Sequence, residues 1–522
     1  MHLGQSERLL ILISMEAHST QDLSLFVRCK EGLYHAFPNV KNLEVESKTK
    51  FLSDCAESDY SPDGKYVIGY TSTGEFSIFK IDGTKLLTET FQDVANCYFS
   101  QCGRFACITY GAAQATSVKI FRVNTPESIN IKIGFMKSGK RYLVFVGDYM
   151  AVQRAPNSIE VYNVSSGIAP EGTIEIVPSV ELGGLRNSPN PLLYASNPNS
   201  TKDNQKGTLF EVYNLKTKTK VYSNFFAGIQ QIDVFENPKD NRLLVRGHKF
   251  VDDSGMSYYG KNTLDLVEPE ENKKKKITTY NGQIHSLSWS PTGAVFAVCA
   301  GFMPSYTALY DKNGDPFMVV LRDPKNSVYW SPNGEFLAVT GFGNLSGEIQ
   351  IWHVNQKKLL GKCQHGDAGD LEWAPDGRHF ITKVEYKFLR EGNQFRVYDY
   401  HGTLINKVEF KNSILHSVRW FPKGTLITRP PSPPPQKEAS KVQSKIVQED
   451  FMAGLKEKSL GAYNIKLEDI EKANKTGPGQ AADDKADRFK DIKGGGNRTE
   501  AEKRSALGFD DEPPKKKKNK KK

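Results

Sequence analysis

Val328-Tyr329-Trp330-Ser331-Pro332-Asn333-Gly334 and, 43 positions on, Leu371-Glu372-Trp373-Ala374-Pro375-Asp376-Gly377 decide the fold. In each, a short apolar strand runs into a Pro-x-Gly turn, with apolar residues resuming beyond it, which is a hairpin signal. The wider mark, a tight turn of Pro, Asp, Asn or Ser followed by Gly between apolar stretches, stands at Ser61-Pro62-Asp63-Gly64, Ser100-Gln101-Cys102-Gly103, Lys137-Ser138-Gly139, Ser290-Pro291-Thr292-Gly293 and Phe421-Pro422-Lys423-Gly424. Weaker versions are Asn187-Ser188-Pro189-Asn190 and Asn237-Pro238-Lys239-Asp240. Together they make nine turns, about 38 to about 54 residues apart.

A second mark interleaves with the first. An aromatic or aliphatic strand follows eight of the nine turns: 78–81, 120–123, 161–164, 212–215, 264–267, 308–310, 351–354 and 397–400. None follows Gly424, where Arg429-Pro430-Pro431-Ser432-Pro433-Pro434-Pro435 intervenes. Spare strands stand at the other end, Leu23-Ser24-Leu25-Phe26-Val27 and Leu33-Tyr34-His35-Ala36-Phe37. Four short strands at this period are the signature of a propeller blade of the WD type. Nine blades over residues 1–428 give about 48 residues each, near the ~40–45 of such repeats. The reading is an all-β, nine-bladed WD-type β-propeller over 1–428, closed by residues of about 20–38 pairing with about 413–428. Seven blades with a separate small β-domain is the alternative. Trp-Asp dipeptides are absent, so apolar packing between sheets, rather than a repeated polar network, is expected to hold the blades.

Composition agrees. The 522 residues are 38% hydrophobic, 25% charged and 11% aromatic, with 43 Gly and 26 Pro, as expected of a chain rich in short strands and turns. No apolar run reaches the ~18 residues of a membrane span, and no membrane role is expected. Seven cysteines without paired spacing point to a reducing, cytoplasmic setting.

Charge is unevenly placed. Residues 429–522 hold 23 Lys and Arg against 16 Asp and Glu, a net +7 of the chain's +10. Only about 26% of that stretch is apolar, too little to fold alone. The expectation is a Pro-rich linker over 429–440 and a disordered, Lys-rich tail with short helices over 441–522. Two lysine runs are candidate RNA or ribosome contacts. Lys273, Lys274, Lys275 and Lys276 read as an exposed basic loop, and Lys515, Lys516, Lys517, Lys518, Lys520, Lys521 and Lys522 close the chain. The terminal run would also pass for a nuclear import signal.

Catalytic chemistry finds no foothold. Gly341-Phe342-Gly343-Asn344-Leu345-Ser346-Gly347 joins two strands and has the wrong glycine spacing for a phosphate loop. Cys97, Cys102 and Cys107 share one hairpin without a C-x-x-C pair, and Cys363 with His365 lacks a second pair. No enzyme, metal or cofactor is expected.

The ordered series Ser61-Pro62-Asp63-Gly64-Lys65-Tyr66, Ser286-Leu287-Ser288-Trp289-Ser290-Pro291, Val328 to Gly334 and Asp370 to Gly377, with the Lys-rich tail, resembles the eukaryotic translation initiation factor 2A family over roughly residues 5–428. The resemblance implies delivery of initiator methionyl-tRNA to the small (40S) ribosomal subunit, codon-dependent and GTP-independent, on particular mRNAs. Implied partners are that subunit, initiator tRNA, mRNA and, through the tail, other initiation factors. The other reading is a WD-repeat scaffold for protein assembly without direct RNA binding.

Overall fold

The computed structural model describes residues 23–421 apart from 42–45, 113–115, 126, 135–142, 166, 177–180, 186–189, 250–260 and 278–281. Within them, nine antiparallel four-stranded sheets form the ring of a β-propeller. Blades 1 to 8 are sequential: 57–90, 96–134, 143–175, 181–227, 231–277, 284–323, 327–364 and 370–409. First strands of successive blades touch (57–60 with 96–99, 284–289 with 327–330, 327–330 with 370–373), so they line the axis and fourth strands form the rim. In every one of these eight blades the aromatic or aliphatic mark of the sequence is the third strand.

Blade 9 is built from both ends of the described chain. Its innermost strand is Leu415–Phe421, followed outward by Ser24–Cys29, Gly32–Ala36 and Thr49–Leu52. The seam is antiparallel, with Ser24 opposite Phe421, Val27 opposite Val418 and Arg28 opposite Ser417. The expected linker and tail begin beyond Phe421, outside the described residues.

Two features of the ring differ from the sequence reading. The turn between the first two strands of blade 3, Leu143–Val146 and Tyr149–Ala155, is Gly147-Asp148, and the expected turn Lys137-Ser138-Gly139 lies outside the described residues. Gly147 supplies the positive φ of 57° that this two-residue turn requires, so the turn dispenses with proline. Lys273–Ile277 is the rim strand of blade 5, paired with Lys261–Glu268, not a loop. A rim strand has one unpaired edge, and charge along it discourages pairing with another chain.

The blades are also linked by a repeated polar contact, contrary to the expectation of apolar packing alone. Trp289 Nε1 donates to the Phe235 carbonyl at 3.1 Å, Trp330 to Ser288 at 3.2 Å, Trp373 to Tyr329 at 3.1 Å and Trp420 to Glu372 at 3.0 Å. Each indole stands at or near the end of one first strand and reaches the backbone of the previous one. Across the seam, the Tyr60 hydroxyl does the same to the Trp420 carbonyl at 2.9 Å. Five successive junctions therefore use an aromatic donor in place of the missing Trp-Asp signature.

Apolar packing fills the wedges between sheets. Phe336 and Ile351 of blade 7 meet Trp373 and Phe380 of blade 8, and Phe395 of blade 8 meets Leu25, Tyr34 and Trp420 of blade 9. The packing leaves no slack at Gly361, where an added Cβ would lie 1.9 Å from the His401 carbonyl oxygen. Gly361→Ala is expected to destabilise the chain by about 1–3 kcal/mol, the cost of overpacking. A guanidinium unfolding midpoint unchanged from the parent would show that the blade 7–8 wedge yields.

Candidate nucleic-acid interface

Each of the four lysines of the blade 5 rim strand faces a partner within the chain. Lys273 pairs with Glu271. Lys274 sits 5.1 Å from the Phe226 ring centroid and 3.4 Å from Asn224 Oδ1, both in blade 4. Lys275 forms an ion pair of 2.6 Å with Asp315 and donates to the Asn313 carbonyl at 2.9 Å, both in blade 6. Lys276 lies opposite Asp265 in the register of the sheet. Two of these stems thus tie blade 5 to its neighbours, and all four side chains remain exposed. Lys515 to Lys518 and Lys520 to Lys522 lie outside the described residues.

The axial channel is polar because first-strand residues alternate between sheet-packed and partly open positions. Glu57 and Asp59, Ser327 and Tyr329, and Asp370 and Glu372 are the open ones. Asp59 meets Arg419 at 3.4 Å, and Lys383, almost wholly buried, spans Asp370 at 3.3 Å and Glu372 at 2.8 Å. On the first strand of blade 5, Asp233 meets Arg246 at 2.6 Å. Burial works to raise the Asp233 carboxyl, yet hydrogen bonds from His248 and Arg246 hold it below the usual range. Burial pushes Glu57 up, opposed by Arg28. Each of these carboxylates has a cation of the ring close by.

The loops joining second to third strands share one face of the ring with those joining successive blades. Here the chain exposes large apolar groups: Phe302 and Met303 on blade 6, Phe388 and Leu389 on blade 8. The blade 8 loop is fixed at both ends. Glu385, buried, accepts from the Val418 amide at 3.1 Å through Oε1, and its carbonyl accepts from the amides of Phe388 and Leu389. Asn393, also buried, donates to the Leu389 carbonyl at 2.7 Å and accepts from the Leu415 amide at 3.3 Å. Between these anchors run Tyr386-Lys387-Phe388-Leu389-Arg390, two rings and two cations in five residues. Sequence reading passed over this stretch, although a basic run interleaved with aromatics was legible in it.

Among the described residues no group of three or more His, Cys, Asp or Glu could hold a metal ion, and all seven cysteines are free thiols. Burial pushes the Cys29, Cys55 and Cys363 thiols up to about 12, which makes them packing groups rather than nucleophiles. No helix among the described residues is long and apolar enough to cross a membrane.

Comparison with known proteins gives these surfaces a context. Residues 224–417 match the family described as Eukaryotic translation initiation factor eIF2A. The Drosophila melanogaster eukaryotic translation initiation factor 2A is 32% identical over 192 residues, covering 37% of this chain and 30% of that protein. The Schizosaccharomyces pombe protein of the same name is 25% identical over 438 residues, covering 78% of this chain and 73% of that protein. A solved structure titled "Crystal structure of the eukaryotic initiation factor" superposes with a TM-score of 0.64 at 19% identity, over 76% of this chain and 98% of that one.

Proposed function

We propose that this chain, a relative of the eukaryotic translation initiation factor 2A family through its propeller, is a cytoplasmic, non-enzymatic translation initiation factor. It brings initiator methionyl-tRNA to the small ribosomal subunit, codon-dependently and without hydrolysing GTP, on a subset of mRNAs. The alignment over 78% of the chain with a factor of that name carries this reading. The fold supports it physically: a closed ring presents rigid loops at fixed spacing, the preorganisation that a large ribonucleoprotein partner requires.

In this proposal the ring supplies shape, and the lysines supply sequence-blind attraction to phosphate. Lys515 to Lys518 and Lys520 to Lys522 form the main phosphate arm, and Lys273 to Lys276 add a second, weaker contact because each already faces an internal partner. The test is sedimentation of the full chain with purified small subunits, with and without initiator tRNA. Co-sedimentation strengthened by initiator tRNA is the expected result. Replacing the seven terminal lysines by glutamine should flatten the log–log salt dependence of RNA binding by about 2 to 3, each neutralised phosphate contributing about 0.7. The internal pairing of Lys273 to Lys276 favours the second reading, a protein scaffold without direct RNA binding. Absence of subunit binding at any salt concentration would select it.

A further inference from the structure

Phe388 is 51% exposed, unusual for a phenylalanine in so well anchored a loop. Its ring does not hang free. A Cβ built on Gly369 would lie 2.7 Å from Phe388 Cγ and 2.8 Å from Cδ2, so the ring is seated on bare backbone. The glycine gives it a flat seat and leaves the rest of the ring to solvent.

Cations flank this platform. Lys387 Nζ stands over the Phe388 ring, 4.8 Å from its centroid, 63% exposed and tethered to Glu385 at 3.0 Å, so a stacking base would take its place on the ring and leave the ammonium to the phosphate. Arg390 lies 5.9 Å from the Tyr386 centroid, and Tyr386 in turn faces His416 at 6.4 Å, at the start of the innermost strand of blade 9. The loop is fixed before any partner arrives, through Glu385, Asn393 and the Tyr386 amide, which donates to the Leu415 carbonyl at 2.9 Å. A preset aromatic surface beside exposed cations is the apparatus that holds unpaired nucleotides, with the base on the ring and the phosphate on the cation. An acidic amphipathic peptide would use the cations too, but it would be served better by an apolar groove than by one seated ring.

We propose that the 385–393 loop of blade 8 is a stacking site for single-stranded RNA, with Phe388 as the base platform and Lys387 and Arg390 as phosphate contacts. This inference deepens the reading as an initiation factor by naming where unpaired RNA touches the ring. It needs no ribosome for its test.

The probe is a fluorescein-labelled 12-nucleotide oligouridylate, titrated with the full-length chain at 200 mM salt, where purely electrostatic phosphate contacts are weakened. Phe388→Ala should weaken binding by about 5- to 150-fold, the range for one lost base stack, and leave the salt dependence unchanged because no charge is removed. Lys387→Gln with Arg390→Gln should instead flatten the log–log salt slope by about 1.4, two phosphates' worth. Phe388→Trp provides a local readout: its fluorescence should be quenched as the oligonucleotide binds. An unquenched tryptophan, or a Phe388→Ala chain that binds as tightly as the parent, overturns the inference and leaves the patch to a protein partner. The same variants run through the small-subunit sedimentation keep the two questions apart. Lost stacking with intact sedimentation confines Phe388 to the RNA contact, whereas failure of the parent chain to sediment removes the initiation reading and leaves the oligonucleotide result standing.

Discussion

Trp420→Ala should lower the unfolding free energy by about 4 kcal/mol, close to a thousandfold in the folding equilibrium. Removing a fully buried tryptophan costs about 3–5 kcal/mol, and this one is 1% exposed. Three hydrogen bonds meet on it. Its indole donates to the Glu372 carbonyl, its amide to Glu372 Oε1 at 3.2 Å, and its carbonyl accepts from Tyr60. Trp420→Phe keeps most of the apolar area and leaves one carbonyl unpaired, so about 1–2 kcal/mol is expected. Trp352→Phe is the control: that indole nitrogen is buried without a partner, and replacing it removes no hydrogen bond. Guanidinium titrations of the three variants decide the matter. Equal losses for Trp420→Phe and Trp352→Phe would strip the indole link of its energetic role.

Acidification from pH 7 to pH 5 is expected to cost about 4 kcal/mol, through two histidines. Burial lowers His35 to about 4, helped by Lys48, and lowers His365 to about 3, helped by Arg396 and Lys407. Both are held neutral in the fold, and in each Nε2 is buried without a partner. The unfolded chain takes up a proton near pH 6.5, while the folded chain does not until pH 3 to 4. Stability is therefore level above about pH 6.5 and falls below it, by about 1.4 kcal/mol per pH unit for each histidine, until the folded values are reached. Carboxylates held low, such as Asp376 and Asp399, begin to contribute only below about pH 5. His365→Leu should halve the slope between pH 6.5 and 5. A stability that is flat across that range would mean the two imidazoles find water or a partner when protonated.

The strong blades were legible because their turns are chemically loud. Ser61, Ser100 and Ser331 are buried, and the hydroxyl of each accepts from the amide five residues on, at Tyr66, Phe105 and Phe336. That bond fixes the serine at the head of the turn, and a glycine of positive φ closes it. The first turn of blade 3 was missed for the converse reason: Gly147-Asp148 is a two-residue turn between strands buried on both faces, with neither serine nor proline to announce it. The indole links were overlooked although visible. Trp289, Trp330, Trp373 and Trp420 each stand two residues before the proline of a turn, a regularity whose meaning appears only when the previous blade's carbonyl is in view. The lysine strand of blade 5 was hidden because four lysines carry no β-propensity, and pairing to Lys261–Glu268 overrides it. Of the candidate surface, Phe388 was the least legible, since nothing in sequence brings Gly369 beneath its ring.

The seam in blade 9 also sets a clock on biosynthesis. Thr49–Leu52, the rim of that blade, leaves the ribosome early, yet its innermost strand begins only at Leu415. At about 5–20 residues per second, the intervening chain takes roughly 20 to 70 seconds to make. For that interval, eight blades can form in order while the first three strands wait, one edge unpaired and apolar residues such as Leu25 and Val27 open to solvent or to a chaperone. A nascent chain that stalls before Leu415 is left as an open arc, sticky at both ends, so this protein's aggregation hazard lies in slow or interrupted synthesis more than in the finished ring.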